Sequence, residues 1–195
     1  MNLVLNQNKS SWDAMADTWF GSTALPVYGC LAPTEDELHL FLDLSGKKVL
    51  DIGCGSGHSL RWCGQKGAAE LWGLDLSEKQ ISNAQSYLTE NGYHPRLYNA
   101  PMEQECGLPK EYFDVVYSIY AIGWTTDLKA AFCNIASYLK PGGVFIFSWD
   151  HPLMSCVDVI DDQLVFSGSY KGGGFFLHTE GTACYCTEPP HVCIY

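Results

Sequence analysis

From Val49 the chain reads Val-Leu-Asp-Ile-Gly-Cys-Gly-Ser-Gly, an apolar run ending in a turn with glycine at every second position. A run this short and apolar is the pattern of a strand buried on both faces, which belongs to a parallel sheet covered by helices. Gly53, Gly55 and Gly57 admit backbone angles closed to other residues and let a ligand touch the main chain. The helix that follows presents free N–H groups to the same place.

The unit then repeats. Residues 58–66 read as a helix, Glu70–Asp75 as a strand, and a second helix is opened by Ser77-x-x-Gln80 and closed by Asn91-Gly92. Strands are expected at Pro95–Ala100, Phe113–Tyr120 and Val144–Trp149, with a helix from about Asp127 to Lys140 stopped by Pro141-Gly142. Upstream, Thr34 and Glu37 have capping-box spacing and open a helix that carries Leu38, Phe41 and Leu42 on one face and ends near Ser45-Gly46. Strand and helix alternating at this pitch predict an α/β fold: a Rossmann-like, doubly wound sheet of five parallel strands joined by right-handed crossovers. In such sheets ligands bind at the carboxyl ends of the strands, so Asp51–Gly57, Asp75, Ala100–Glu103, Ser118–Trp124 and Trp149–Pro152 border one crevice.

Charge narrows the function. Eleven Lys+Arg stand against 22 Asp+Glu in 195 residues, for a net charge of −11, and the only arginines are Arg61 and Arg96. No basic stripe offers itself to a phosphate backbone or an anionic membrane, so neither nucleic acid nor membrane is the expected partner. No stretch approaches the roughly 20 apolar residues of a membrane span, and the N-terminus lacks the basic and apolar regions of a secretory signal. With nine cysteines and no export signal, reduced thiols and a cytoplasmic location are expected.

Asp75, ending the second strand, is placed to accept both hydroxyls of a ribose. A dinucleotide fingerprint needs glycine at the sixth position from Gly53, where His58 stands. That argues against a nicotinamide-dependent oxidoreductase and for a different nucleoside ligand.

These residues resemble the class I S-adenosylmethionine-dependent methyltransferases, in particular the type 11-like enzymes acting on small molecules. The resemblance runs from about Lys47 to Pro152. It rests on the glycine turn with its leading Asp51, the strand end Gly73-Leu74-Asp75-Leu76-Ser77, the strand Phe113-Asp114-Val115-Val116-Tyr117-Ser118, and Leu139-Lys140-Pro141-Gly142-Gly143 before the fifth strand. It implies S-adenosylmethionine as cofactor. Asp51 and the Gly53-Cys54-Gly55 turn would hold its amino-acid end, Asp75 its ribose, Leu76 with Pro101 and Met102 its adenine, and Ser118 would lie beneath the methionine portion. The family's acidic residue near Ala100 is missing, and Glu103 is the nearest carboxylate.

Methyl transfer from a sulfonium needs alignment above all, and a general base only when the acceptor arrives protonated. The end of the fourth strand lacks the Asn-Pro-Pro-aromatic signature associated with planar-nitrogen acceptors, so a small molecule is the expected acceptor. Tyr120, Trp124, Trp149 and His151 crowd the crevice mouth, as pocket walls or as plain packing. His151 and Tyr120 are the candidate catalytic residues, His151 as a base. Trp12 and Trp19 resemble the segment that small-molecule methyltransferases fold over the cofactor.

One domain is expected, with residues 1–46 as a cover, 47–152 as the cofactor-binding core and 153–195 as an atypical end. Cys184, Cys186, His191 and Cys193 match no common four-ligand pattern, so no metal is expected. The family ending after strand five is not recognisable; Gln163–Tyr170 and Phe175–Thr179 read as a shortened hairpin, or the end is truncated. An exposed fifth strand would then invite pairing with a second copy. The alternative to an enzyme is a catalytically impaired module that binds the cofactor, or nothing, and acts through a partner.

Overall fold

The five strands expected between Val49 and Trp149 form one sheet. The computed structural model describes residues 3–29, 32–151, 153, 156–167, 175–178 and 191–194, the last two stretches by backbone alone. Its strands β1 (Lys48–Ile52), β2 (Glu70–Asp75), β3 (Arg96–Asn99), β4 (Phe113–Ile119) and β5 (Leu139–Ser148) stand in the order β3-β2-β1-β4-β5, all parallel. Helices α3 (His58–Gln65), α4 (Glu78–Glu90) and α5 (Leu128–Tyr138) make the crossovers, after α1 (Leu3–Met15) and the short α2 (Glu35–Leu38).

Period-two alternation divides the core between the two faces of this sheet. Val49 packs with Leu60, Cys63, Leu88 and Tyr117 on one side, while Leu50 and Ile52 pack with Phe113, Val116, Ile135 and Tyr138 on the other. The chain fills the β3 side first and then returns past β1 to build β4 and β5. The strand order therefore reverses between β1 and β4, and the carboxyl ends there open a crevice.

Local chemistry sets the helix starts. Ser77 Oγ accepts the Gln80 N–H at 3.1 Å to cap α4, and Asp127 Oδ1 accepts the Ala130 N–H at 2.9 Å to cap α5.

Three expectations need correction. The helix after Thr34 keeps its capping box but stops at Leu38, with His39 in the left-handed region at φ 50°. Buried Glu35 explains this: its carboxylate accepts the N–H groups of Leu40 at 3.1 Å and Phe41 at 2.7 Å and the Tyr28 hydroxyl, drawing the chain out of helical register. Second, Pro141-Gly142 does not stop α5, which ends at Tyr138; Leu139 already pairs with Phe113, and the register shifts so that Val144 pairs with Val115. Residues 140–143 absorb the slack as an irregularity, tied down where Lys140 Nζ donates to Asp114 Oδ1 at 2.9 Å. Third, the expected hairpin does not form: β6 (Val157–Ile160) pairs with β7 (Gln163–Phe166), and β8 (Phe175–His178) with β9 (His191–Ile194), each antiparallel and separate from the main sheet. Cys184 and Cys186 lie outside the described residues, and among those described no metal-binding group of three His, Cys, Asp or Glu gathers. No helix among them is long and apolar enough to cross a membrane.

Candidate active site

The glycine turn sits on the end of β2. Gly53 N–H and Cys54 N–H both donate to the Leu74 carbonyl, at 2.7 and 3.0 Å. Gly53 has φ 76°, and a Cβ there would come within 2.3 Å of Ala121 Cβ, so the turn fits closely against the end of β4. Gly55, at φ 49°, is different: a Cβ there would meet nothing nearer than Gln80 Oε1 at 4.0 Å. Space is thus left over one glycine and closed over the other.

Two carboxylates flank the turn. Asp75 accepts the Gly55 N–H at 2.9 Å through Oδ2 and the Ser77 N–H at 2.8 Å through Oδ1. Burial pushes its carboxyl up to about 6, against the pull of those two N–H groups. Asp51 is only 2% exposed, and its Oδ1 has no hydrogen-bond partner. Burial, and then the nearby charge of Asp75, raise it well above the usual carboxylate range, although the Tyr117 hydroxyl donates to it. Gln80 Oε1 is a second buried oxygen without a partner. Buried oxygens beside an open glycine are poorly satisfied unless a donor-bearing ligand enters, which fits an ammonium and a sugar better than a second carboxylate.

The remaining expected residues are placed as follows. Cys54 is buried, and burial raises its thiol, so it is a filler and no nucleophile. Ser118 is fully buried and donates to the Ile52 carbonyl at 2.8 Å, pinning β4 to the end of β1. Asn99 Nδ2 donates to the carbonyls of Asp75 and Leu76, both at 3.0 Å, fixing the β2 end beside the β3 end. Pro101 and Met102 follow at partial exposure, and the Met102 carbonyl accepts Asn134 Nδ2 at 3.0 Å. Glu103 Oε1 is taken by Thr126, through N–H at 3.0 Å and Oγ at 2.6 Å.

At the crevice mouth an aromatic chain runs from α1 to β5. Ring centroids lie 5.1 Å apart for Trp12–Trp124, 5.5 Å for Trp124–Trp149 and 5.3 Å for Tyr120–Trp149, with Trp19 at 6.4 Å from Trp12. Three of the four expected mouth residues therefore meet. The fourth, His151, is exposed, with Nδ1 accepting the Leu153 N–H at 3.2 Å.

Asp13, Gln80 and Asp150 lie beside Ser77, Gly55 and Tyr120, and sequence reasoning did not single them out as site residues. Asp13 carries α1 onto the start of α4: its Oδ1 accepts Ser77 Oγ at 2.6 Å and the Lys79 N–H at 3.2 Å. Burial raises its carboxyl, but hydrogen bonds from Lys9, Ser77 and Lys79 outweigh that and hold it below the usual range. Gln80 reads in sequence as part of a capping box, and nothing in its spacing shows that it faces Gly55. The segment after α1 is fastened to the start of α3, where Ser56 Oγ accepts the Gly21 N–H at 3.1 Å and Ser59 Oγ the Leu25 N–H at 3.0 Å.

With this geometry in place, similarity to known proteins is informative. Residues 50–147 match the family described as Methyltransferase domain. The chain is 37% identical over 122 residues to an uncharacterized protein of Haemophilus influenzae, covering 61% of this chain and 48% of that one. It is 29% identical over 150 residues to a ubiquinone biosynthesis O-methyltransferase of Stutzerimonas stutzeri, covering 76% of this chain and 64% of the relative. The chain thus spans about half to two thirds of these curated relatives. An S-adenosylmethionine-dependent methyltransferase from Mesorhizobium loti superimposes with a TM-score of 0.61 at 26% identity, over 79% of this chain and 71% of that one.

Proposed function

Since the chain belongs to the methyltransferase domain family, whose class uses S-adenosylmethionine, we propose that it transfers a methyl group to a small-molecule acceptor. The observation that carries this reading is the pairing of open space over Gly55 with the buried, unpartnered Asp51 Oδ1. Asp51 and the Gly53-Cys54-Gly55 turn hold the amino-acid end of the cofactor, Asp75 its ribose, and Leu76, Pro101 and Met102 its adenine. Ser118 acts by keeping the ends of β1 and β4 in place. When bound, the cofactor supplies a methyl group already activated by its sulfonium, which leaves the protein the task of alignment. The aromatic chain over the crevice supplies flat apolar walls for a small acceptor.

Supplied with labelled cofactor and a mixed acceptor set, the protein should place label in a small-molecule product; label recovered in protein or RNA instead would overturn the acceptor class.

The carboxyls give this binding a pH dependence. Asp75, near 6, must be charged to accept two hydroxyls, so protonation on the acid side removes affinity. Cofactor affinity should fall about tenfold from pH 7 to pH 5, as titration calorimetry at the two values reads directly. An arriving ammonium favours the charged form of Asp51, so uptake should also release protons.

A second reading is favoured by β5, which is an edge strand among the described residues, with Val144 41% and Phe147 49% exposed. A module that works through a partner, or a homodimer paired along this edge, would cover it. Cofactor binding without turnover across a broad acceptor set would favour the module, and a monomer in sedimentation at tens of micromolar would count against the dimer.

A further inference from the structure

One residue before the expected histidine, Asp150 meets Tyr120 across the ends of β4 and β5. Tyr120 ends β4 in the left-handed region, at φ 54°, a conformation uncommon for a bulky residue. Its N–H is held by Ser148, at 3.2 Å from the carbonyl and 3.1 Å from Oγ, which locks the turn against β5. That conformation brings the Tyr120 hydroxyl onto Asp150 Oδ1, across the carboxyl ends of β4 and β5. Backbone strain of this kind persists where the surroundings enforce it, often at functional sites.

Trp149 stands beside Tyr120. Its ring packs against both Tyr120 and Trp124, and its Nε1–H is buried without a partner. Asp150 itself is half-buried rather than sealed. The corner therefore offers aromatic faces and a carboxylate oriented by a phenol. These match a flat acceptor that brings a proton for the carboxylate to accept. His151 offers no comparable arrangement, being exposed and turned back on the Leu153 N–H.

We propose that Asp150, positioned by Tyr120, is the general base for an aromatic hydroxyl acceptor, an inference that rests on the methyl-transfer reading above. In the balanced step the acceptor O–H proton passes to the Asp150 carboxylate and the oxygen forms the new O–CH3 bond. The S–CH3 bond breaks with its electron pair kept by sulfur, and the proton is later given to solvent. Tyr120 is a positioning residue: its hydroxyl donates to Asp150 Oδ1 and fixes the carboxylate in place.

The test uses the full chain, catechol as the probe acceptor and an alkyl amine as the control acceptor, with cofactor binding measured separately by calorimetry. Asp150→Asn, which can still accept the Tyr120 hydroxyl, should lower kcat/KM for catechol by about 10²–10⁴-fold while leaving cofactor affinity unchanged. Tyr120→Phe should lower kcat more than it raises KM. His151→Gln should do neither, and Asp150→Glu should recover part of the rate. Wild-type rates in Asp150→Asn overturn the proposal, as does a protein that binds cofactor and methylates the amine but not catechol. Failure to bind cofactor at all would overturn the methyl-transfer reading itself, and this proposal with it.

Discussion

Gly55→Val should reduce S-adenosylmethionine affinity by at least about 100-fold, close to 3 kcal/mol, while the protein remains folded. A Cβ at Gly55 meets no protein atom closer than 4.0 Å, so the substituent starts in space that the protein itself leaves open. The fold pays only for holding a β-branched residue at φ 49°, about 1–3 kcal/mol. Gly53→Ala makes the informative contrast. Its Cβ would lie 2.3 Å from Ala121 Cβ, so this smaller change should disturb the β1–β4 junction and lower the Tm as well as the affinity. Circular dichroism melts and calorimetry on the two variants separate a blocked site from a damaged fold. A Gly55→Val protein that binds normally would mean that the turn is not the site.

Asp75→Ala should weaken cofactor binding by about 1–3 kcal/mol, the worth of a charged hydrogen bond lost. The structure places the upper end of that range within reach, because Asp75 also holds the Gly55 N–H at 2.9 Å and the Ser77 N–H at 2.8 Å. Its removal frees the turn and the start of α4 together, so part of the loss comes from a site that no longer stands ready. Asp75→Asn retains an acceptor without the charge and should fall between the wild type and alanine. Because the charge is then missing at every pH, the fall in affinity between pH 7 and pH 5 should flatten in this variant. Calorimetry at both pH values reads affinity and its slope, and an undiminished affinity in Asp75→Ala would remove Asp75 from the ribose position.

The parallel sheet is legible in the sequence because each central strand carries its own apolar run and each crossover helix its own punctuation. Ser77 and Asp127 do cap their helices as their spacing predicts. The placement of the residues proposed to hold the cofactor is legible for the same reason: Asp51, the glycines and Asp75 lie at strand ends, where local pattern fixes position. What escapes is decided by contacts distant in sequence. Glu35 has the spacing of an ordinary first-turn acid, yet its burial against Tyr28, Leu40 and Phe41 ends the helix it helps to open. The strand character of Leu139 comes from pairing with Phe113, which overrides the stop expected at Pro141-Gly142.

The acceptor side shows the same limit. A histidine before a proline stands out in sequence as a base, whereas Asp150 gains significance only when the turn at Tyr120 delivers a hydroxyl to it. Asp13 is comparable, since its two hydrogen bonds to the start of α4 span more than sixty residues of chain. Neither has a local signature. Both are consequences of where the sheet and α1 come together.

The most direct measurement is calorimetric binding of S-adenosylmethionine and S-adenosylhomocysteine to folded protein at pH 7, with NAD as the control. Micromolar binding of the first two and none of NAD is expected from the open Gly55, the unpartnered Asp51 oxygen and His58 in place of a third fingerprint glycine. Binding of NAD, or of none of the three, would contradict the assignment of this crevice.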